Sequence, residues 1–549
     1  KYNAAPEATS ATTATRVDQT VSPTAPYGSV FDLTAVASSG LAAAITASGA
    51  CTGGGEGSAR IVMTSGTGIC RVHYKQAGDA NYSAASEVTY DIAATRADQR
   101  IRVTGPVPET AAYASTFDVT ATASSDLPVA ITASGVCAGS GNGSAAIRIT
   151  NGSGICTLHF NQAGDSNFHS ATELTEVVMA EKATLTVRPN PYTASRQYSD
   201  GNPLFVPAYL GLAAGDDVGE LTEEPICSTT AGPASAPGSY PVTCIGGAAP
   251  NYSFGYDDGA ALAVTEEDAL VEFSRDNLVA VRARSRGKYT EKLRLAVLVK
   301  ERQPDTAANE AAAGDIGSAD LAVTLSPLSA GGVTRLTCKA APVPVTGYGA
   351  VKTFTCTTKL NLGVDVYEVS AQVTGNYAGV GYDGVTVYGR GLGFVNGGGW
   401  FHWPGTEDKT NFGFVMKNGK GRTDPQGNLL VVRHYSDGTI SRIKSSALTG
   451  LVLQDDATTG CGSATFSGKA TYTAWNPSAG SALGGYMSTD GNPFMAYAED
   501  CNNPGTGLDH FLVRGVGQIQ MPTDVYLSKV PLAADRGDIV VPHKAGKKK

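Results

Sequence analysis

The segment ITASGVCAGSGNGSAAIRITNGSGICTLHFNQAGDSNF, residues 131–168, decides the fold, because a close copy of it, ITASGACTGGGEGSARIVMTSGTGICRVHYKQAGDANY, occupies residues 45–82. The cysteines, the glycine-rich stretch and the QAGD motif all recur at a constant shift of 86 residues. A fixed internal period of this size is the signature of tandem domains. Working outward from the copies gives two repeats, residues 16–95 and 96–181.

Apolar residues alternate with polar ones inside each copy. The alternating positions are Phe31, Leu33, Ala35, Ile61 and Met63 in the first repeat, and Ile147 and Ile149 in the second. This period of two indicates half-buried strands of an antiparallel sandwich. The glycine-rich segments CTGGGEGS and CAGSGNGS predict a hairpin with a flexible tip. A disulfide at their first cysteine would either tie the two arms of that hairpin or bridge the two sheets.

The ten cysteines fall into pairs with matched separations of 19, 19, 17, 18 and 40 residues. The pairs are Cys51 with Cys70, Cys137 with Cys156, Cys227 with Cys244, Cys338 with Cys356, and Cys461 with Cys501. One pair per unit predicts one disulfide inside each domain, and so an oxidising, extracellular compartment. Zinc is the rival ligand, but CxxC and HxxxH spacings are missing from the sequence. Export further predicts a signal peptide that was removed or lies upstream.

Composition supports a β-rich chain and excludes several functions. The 549 residues include 66 Gly and 27 Pro, and only 17% are charged, which is typical of short strands joined by tight turns. A net charge of −9 argues against nucleic acid or anionic membrane as a partner. The sequence has no apolar run long enough for a membrane span. The basic run 547–549 is interpreted as a solvated tail.

The remaining boundaries follow from changes in motif. Residues 2–7 align with the closing motif of both repeats, so residues 1–15 are predicted to be the last strand of a preceding repeat. Residues 182–265 form a related unit, residues 266–390 a divergent one, and residues 391–549 a glycine- and aromatic-rich terminal domain. The Ala-rich stretch TAANEAAAGDIGSAD is either a short helix or a loop, and a loop is favoured.

Three parts of the chain resemble known families. The SGxC, GxGIC and QAGDxN motifs are similar to bacterial Ig-like repeats of secreted and surface proteins. Residues 182–265 resemble an MBG-type domain through YSDGNP, YLGLAAGD, GSYPVTC and NYSFGYDDGAA, and the terminal segment resembles a post-COAP domain through GGGW, NFGFVMK, FSGKATY and GLDHF. These resemblances imply an all-β fold of tandem immunoglobulin-like β-sandwich domains with a terminal β-rich capping domain. They imply a stalk, adhesin or surface-layer protein with no catalytic residues.

Motifs for catalysis are weak. The sequence lacks GxSxG, HExxH, Walker and EF-hand patterns. His73 and His159 lie at equivalent repeat positions, which favours a repeated structural role over catalysis. The GxGxxG match at Gly379, Gly381 and Gly384 is interpreted as a turn between strands, because no helix is predicted after it.

The sequence contains candidates for two kinds of ligand site, a calcium site and an aromatic contact surface. Structural calcium is considered at Asp257 with Asp258, and at Asp500, Asn502 and Asp509, although solvated turn residues are favoured.

Trp400 and Trp403 are candidate ligand contacts if exposed, and core residues, the favoured interpretation, if buried. The leading hypothesis is a non-catalytic structural protein of a bacterial surface stalk, fibre or filament, with self-assembly through edge strands or residues 1–15. The alternative is an adhesin whose terminal domain binds carbohydrate or a cell-surface receptor.

Overall fold

The computed structural model describes residues 24–274, 278–281, 283–284, 288–302, 314–344, 349–389, 392–418, 425–456, 458–476, 485–501, 508–515, 521, 523, 525–528 and 535–542. Within these ranges the helices are two single turns of 3₁₀ helix, Val218–Glu220 and Ile316–Ser318, and the rest is strand or connection. The predicted all-β fold class is confirmed. No helix in the described part of the chain is long and apolar enough to cross a bilayer.

Several sequence predictions concern residues outside the described ranges. They are the strand at 1–15, the first residues of the first repeat, most of the Ala-rich stretch, Asn502 and the basic run at 547–549. The described chain divides into two compact units. The first holds both repeats with residues 206–227 and 243–258, and the second holds residues 191–205, 228–242 and the part from 259 onward.

The first repeat folds as one continuous sheet. Its described strands are β1 (Thr24–Pro26), β2 (Val30–Thr34), β3 (Ala44–Gly49), β4 (Cys51–Glu56), β5 (Ser58–Met63), β6 (Ile69–Lys75) and β7 (Val88–Thr95). They are ordered β1-β7-β6-β3-β4-β5-β2. The first part of β4 pairs with β5 and its last part pairs with β3, so this strand passes from one half of the sheet to the other.

The second repeat is a two-sheet sandwich. Its strands are β8 (Ile101–Val103), β9 (Thr110–Ala112), β10 (Thr116–Ala123), β11 (Ala130–Gly135), β12 (Cys137–Ala138), β13 (Ser140–Asn142), β14 (Ser144–Ile149), β15 (Gly154–Asn161) and β16 (Leu174–Glu181). The sheet orders are β12-β14-β10-β8 and β13-β11-β15-β16-β9. Apolar residues from both sheets, among them Val119, Ile147 and Leu158, form one buried core. The alternation in the sequence therefore marks the inward faces of this sandwich.

Residues 182–265 also form two sheets. The strands are β17 (Ala183–Asn190), β18 (Thr193–Gln197), β19 (Val206–Leu210), β20 (Ile226–Thr229), β21 (Gly238–Ile245), β22 (Tyr252–Tyr256) and β23 (Ala261–Thr265). Their orders are β19-β17-β22 and β18-β23-β21-β20. Buried Leu185 and Tyr252 form a small core on the first of these sheets.

Residues 266–390 build a larger sheet. The strands are β24 (Glu267–Ser274), β25 (Leu278–Ala280), β26 (Ala283–Arg284), β27 (Lys288–Glu291), β28 (Arg294–Glu301), β29 (Ala319–Pro327), β30 (Thr334–Arg335), β31 (Thr337–Ala340), β32 (Val351–Thr357), β33 (Leu362–Gly363), β34 (Asp365–Gly375) and β35 (Tyr377–Tyr388). The large sheet runs β30-β29-β34-β35-β24-β28-β32-β31 with β25 also on β35, and β26-β27-β33 form a small one.

The GxGxxG match lies inside β35, so its interpretation as a turn between strands was wrong. A Cβ on Gly379 would come within 2.4 Å of the Ala269 carbonyl oxygen, and a Cβ on Gly381 within 2.6 Å of the Val271 side chain. Glycine inside a strand marks a close approach of neighbouring chain. The glycines therefore allow β35 to pack tightly against β24.

The terminal domain is a closed barrel. In the described residues it consists of β36 (Val395–His402), β37 (Lys409–Lys417), β38 (Gln426–His434), β39 (Ile440–Asp455), β40 (Cys461–Asn476), β41 (Gly485–Cys501), β42 (Leu508–Arg514), β43 (Val525–Ser528) and β44 (Arg536–Val540). Its interior is aromatic, with Phe401, Phe412, Phe414, Phe466 and Phe511 fully or almost fully buried.

The outer wall of the barrel carries a second apolar cluster. Val415 of β37 belongs to this cluster and packs with Val366 of β34. Tyr382 of β35 stacks on Trp475 of β40 with ring centroids 4.4 Å apart. The barrel is thus packed against the sheet of residues 266–390, which explains why β37 is buried on both of its faces.

Candidate functional site

All ten cysteines are paired in the five predicted combinations, each within one predicted domain. In the second repeat, Cys137 lies on β12 of one sheet and Cys156 on β15 of the other. The bond therefore bridges the sheets and does not tie the arms of a hairpin. Each closed loop of this length stabilises its domain by about 3 kcal/mol in the chain-entropy model.

An early strand of each module pairs in parallel with its last strand. The pairs are β1 with β7, β9 with β16, β18 with β23, and β24 with β35. We call each such pair a terminal clamp. The two strands of a clamp run in the same direction, so opposite pulls on the chain ends slide one strand along the other. All ladder hydrogen bonds of the clamp then bear the load together, because parallel ladders have evenly spaced bonds.

Consecutive modules meet through a recurring contact, which we call the joint. At the first joint, Tyr27 of the first repeat packs edge-to-face on Phe168 of the second, with ring centroids 5.2 Å apart. The amide of Gly66 donates to the side-chain oxygen of Asn167 at 2.8 Å. A Cβ on Gly66 would lie 2.6 Å from the Ser166 carbonyl oxygen. Only glycine fits there without displacing backbone.

The second joint repeats this geometry 86 residues further along the chain. Tyr113 packs edge-to-face on Tyr252 at 5.5 Å, and the Gly152 amide donates to the side-chain oxygen of Asn251 at 2.8 Å. A Cβ on Gly152 would meet the Asn251 Cα at 2.7 Å. The ring contact therefore joins different module types, the second repeat and the unit at 182–265.

The third joint keeps the aromatic pair. Tyr198 packs edge-to-face on Tyr377 at 5.6 Å. In all three joints the tyrosine amide donates to the last residue of its own module's final strand, from Tyr27 to Thr95 at 2.9 Å, from Tyr113 to Glu181 at 2.8 Å and from Tyr198 to Thr265 at 2.9 Å. Each joint is thus anchored directly on a terminal clamp.

A shared carboxylate reinforces the second joint. The hydroxyl groups of Tyr113 and Tyr252 both donate to Asp216, at 3.0 and 2.5 Å. Burial, together with this hydrogen bond, raises the pKa of Tyr252 to about 12 and also raises the pKa of Tyr113. Both phenols therefore remain neutral donors at physiological pH.

Sequence reasoning missed the joints, although the signal was present. Tyr27 and Tyr113 are related by the same 86-residue shift as the cysteines, and so are Gly66 and Gly152. An Asn followed by an aromatic residue recurs in the closing motifs at 81–82, 167–168, 251–252 and 376–377. What the sequence does not give is which tyrosine meets which aromatic residue.

The equivalent histidines have equivalent partners. His73 lies 2.9 Å from the Ser48 hydroxyl and 2.5 Å from Glu87. The same set, Ser134, His159 and Glu173, recurs in the second repeat with both distances at 2.8 Å. Both serines lie on strands that pair on both sides, β3 with β4 and β6, and β11 with β13 and β15. The three side chains therefore form a hydrogen-bonded ladder across a sheet face.

Two of the carboxylates considered for calcium, Asp500 and Asp509, accept hydrogen bonds from backbone amides. Asp509 accepts from the amides of Cys501 at 3.3 Å and Ile539 at 2.7 Å, and Asp500 accepts from the amide of Val541 at 3.3 Å. Both side chains are buried, so they anchor strand ends of the barrel and are not solvated turn residues. Asp258 is exposed, and Asn502 lies outside the described residues.

One further group of potential ligand atoms occurs in the described residues. Cys461, Glu499 and Cys501 lie close enough to hold a metal ion. Their two sulfurs are bonded to each other, which removes both as thiolate ligands.

The structure separates the two candidate tryptophans. Trp403 is 6% exposed and packs under the Arg433 guanidinium, 4.5 Å from its ring, which places it in the core. Trp400 is only partly buried, with the Lys409 ammonium 5.6 Å from its ring and His402 packed edge-to-face at 5.6 Å. Of the two, only Trp400 therefore stays a candidate ligand contact.

Comparisons with known proteins agree with one of the resemblances. Residues 185–262 match the family model of the MBG domain (YGX type), which confirms the MBG-type prediction for this unit. No curated protein matches the chain. Five cystines in a serial all-β chain indicate a β-rich extracellular repeat protein.

Two solved structures align with long stretches of the chain at low scores. The crystal structure of the human desmocollin-1 ectodomain is 12% identical, with a TM-score of 0.19, and the match covers 66% of this chain and 76% of that one. Protocadherin gamma B7 extracellular cadherin domains 1–4 are 10% identical, with a TM-score of 0.16 and coverage of 73% and 91%. Scores of this size give no common superposition of the chains.

Proposed function

We propose that this chain is a non-catalytic structural protein of a bacterial cell surface, part of a stalk, fibre or filament that carries tension. The terminal clamp is the observation that supports this most directly, because it recurs in every module before the barrel. A clamp loaded in shear resists force along the chain, which a stalk experiences and a freely diffusing enzyme does not. Exposed edge strands offer unpaired backbone groups through which copies would assemble. The barrel, with its post-COAP-like motifs, caps the array.

Single-molecule pulling on the full chain by its two ends tests the proposal. Ala111, in the centre of β9, pairs with Ala180 in the clamp of the second repeat. An Ala111→Pro substitution removes one backbone N–H from that clamp. One module of the variant should then unfold at lower force while the others keep theirs.

The matched control is Arg102→Pro, which removes a backbone N–H from edge strand β8, outside the clamp. Its force trace should stay close to that of the unchanged chain. Equal weakening by both prolines would show that the clamp does not bear the load, and the tension-carrying role would fall.

An adhesin is the second candidate function, and the partial exposure of Trp400 favours it. An aromatic ring beside a lysine and a histidine suits stacking on a sugar ring with hydrogen bonds to its hydroxyls. Glycan-array binding by the full chain that is lost in Trp400→Ala would support a lectin-like terminal domain. The control is Tyr526→Ala, which removes another exposed ring of the barrel. Retained binding in Trp400→Ala would reject this surface.

A further inference from the structure

The first repeat presents half of a joint. Its closing motif has the same loop as that of the second repeat: the Asp79 carboxylate accepts from the amides of Asn81 at 2.7 Å and Tyr82 at 2.9 Å. Asp165 does the same for Asn167 and Phe168, at 2.7 and 2.8 Å. The loop therefore has its joint-forming conformation in both repeats.

The exposure of the aromatic residue differs sharply. Tyr252 and Tyr377, which occupy the second and third joints, are 1% and 0% exposed. Tyr82 is 53% exposed, and Asn81 beside it is exposed as well. Phe168 in the first joint is partly buried, so Tyr82 is the most exposed of the four equivalent rings.

We propose that Asn81 and Tyr82 form a docking surface for one further β-sandwich module of the same kind. That module must present a tyrosine ring edge to Tyr82 and a glycine amide to the Asn81 side chain, as Tyr27 and Gly66 do for Phe168 and Asn167. A second copy of this chain is not the occupant, since Tyr27, Tyr113 and Tyr198 are each engaged in a joint. The surface is equivalent to one that the chain itself uses elsewhere, with the ring contact made three times and the glycine–asparagine hydrogen bond twice.

The inference goes beyond the proposed function, and tyrosine nitration with tetranitromethane tests it on the full chain. In the unchanged protein, Tyr82 should be nitrated while Tyr252 and Tyr377 are protected. In a lengthened chain, residues 10–95 are inserted once more after residue 95, and the inserted copy is marked by Ala84→Ser, the residue found at the equivalent position 170. The original Tyr82 should stay reactive, and the Tyr82 of the inserted copy should become protected because it faces the original Tyr27.

A second variant keeps the test decisive. Gly66→Ala in the original repeat of the lengthened chain places a Cβ where the joint leaves no room, so the inserted Tyr82 should become reactive again. Protection of Tyr252 in the same digest reports that the rest of the chain is folded.

Three results would overturn the inference. The first is equal nitration of both Tyr82 residues in the lengthened chain. The second is protection of Tyr82 that increases with protein concentration in the unchanged chain. The third is thermal destabilisation by Asn81→Ala as large as that by Asn167→Ala. The second would mean that another copy of the chain fills the surface, and the third that the surface is already filled. None of these three results depends on the pulling experiment, so the proposed stalk function is tested separately.

Discussion

Reducing the disulfides should lengthen each unfolding step of the stretched chain by an amount that the structure fixes. With the Cys137–Cys156 bond intact, the loop between these residues, 19 apart in sequence, cannot extend, and the force path crosses it through a Cα–Cα distance of 5.3 Å. A fully extended chain spans at most about 3.3–3.6 Å per residue, so reduction releases about 60 Å for this module. The loops of the first, third and fourth pairs, with separations of 19, 17 and 18 residues, should release about 55–60 Å each.

The barrel provides an internal standard for the same experiment. Its Cys461–Cys501 bond closes a 40-residue separation and should release about 130 Å, more than twice the value for any sandwich module. The assay is pulling by the two ends, with and without a thiol reductant, and the step length is read from each unfolding event. The reasoning is refuted if the step lengths do not change on reduction, or if the barrel and the sandwich modules lengthen equally.

Three further changes test the joints and the sheet-face ladder. Gly152→Ala should break the hydrogen bond to Asn251 and raise amide hydrogen exchange around residue 152 by about tenfold, the equivalent of about 1.4 kcal/mol. Glu173→Gln should reduce the loss of stability in acid, as measured by urea unfolding at several pH values. Hydrogen bonding from His159 lowers the pKa of Glu173. The carboxylate therefore stabilises the fold above its unfolded pKa, and this stabilisation is lost as pH falls through the lowered pKa. Tyr252→Phe should remove one tyrosinate absorbance step near pH 12, because the pKa of Tyr252 is raised to about 12. The neutral phenol stabilises the fold, and this stabilisation is lost as pH rises through the raised pKa.

The cystine pairs and most of the sandwich strands could be predicted from the sequence because they depend on residues that are close together in the chain. Each pair in a sandwich module encloses fewer than 20 residues, and alternation reports burial on one face of a strand without reference to a partner. The joints were not readable in this way. Tyr27 and Phe168 come together only after two complete modules have folded, and a period of 86 residues gives equivalence between positions but no contact between them.

The error in the GxGxxG interpretation has a physical cause. Gly379 and Gly381 were interpreted as turn residues, yet a spacing of two also places both on one face of a strand, and only the neighbouring β24 shows that this face has no room for side chains. Burial does not alternate along β37 either, where residues 410–416 are all buried. A strand buried on both faces loses the alternation that distinguishes inside from outside, and β37 is buried on its outer face by the sheet of residues 266–390.

The clamp and the disulfide of a module lie on different pairs of strands. In the second repeat the clamp joins β9 to β16, whereas the disulfide joins β12 to β15, so shearing the clamp leaves the covalent bridge between the sheets in place. In the proposed function, the strength of the clamp sets the force at which a module yields, and the cystine limits how far it can extend afterwards. A module whose cystine loop cannot extend has less chain entropy to overcome when tension falls, because closing a shorter chain costs less. Modules built in this way should recover between loads more readily than modules in which the cystine lay within the clamp itself, where the bond would block yielding altogether.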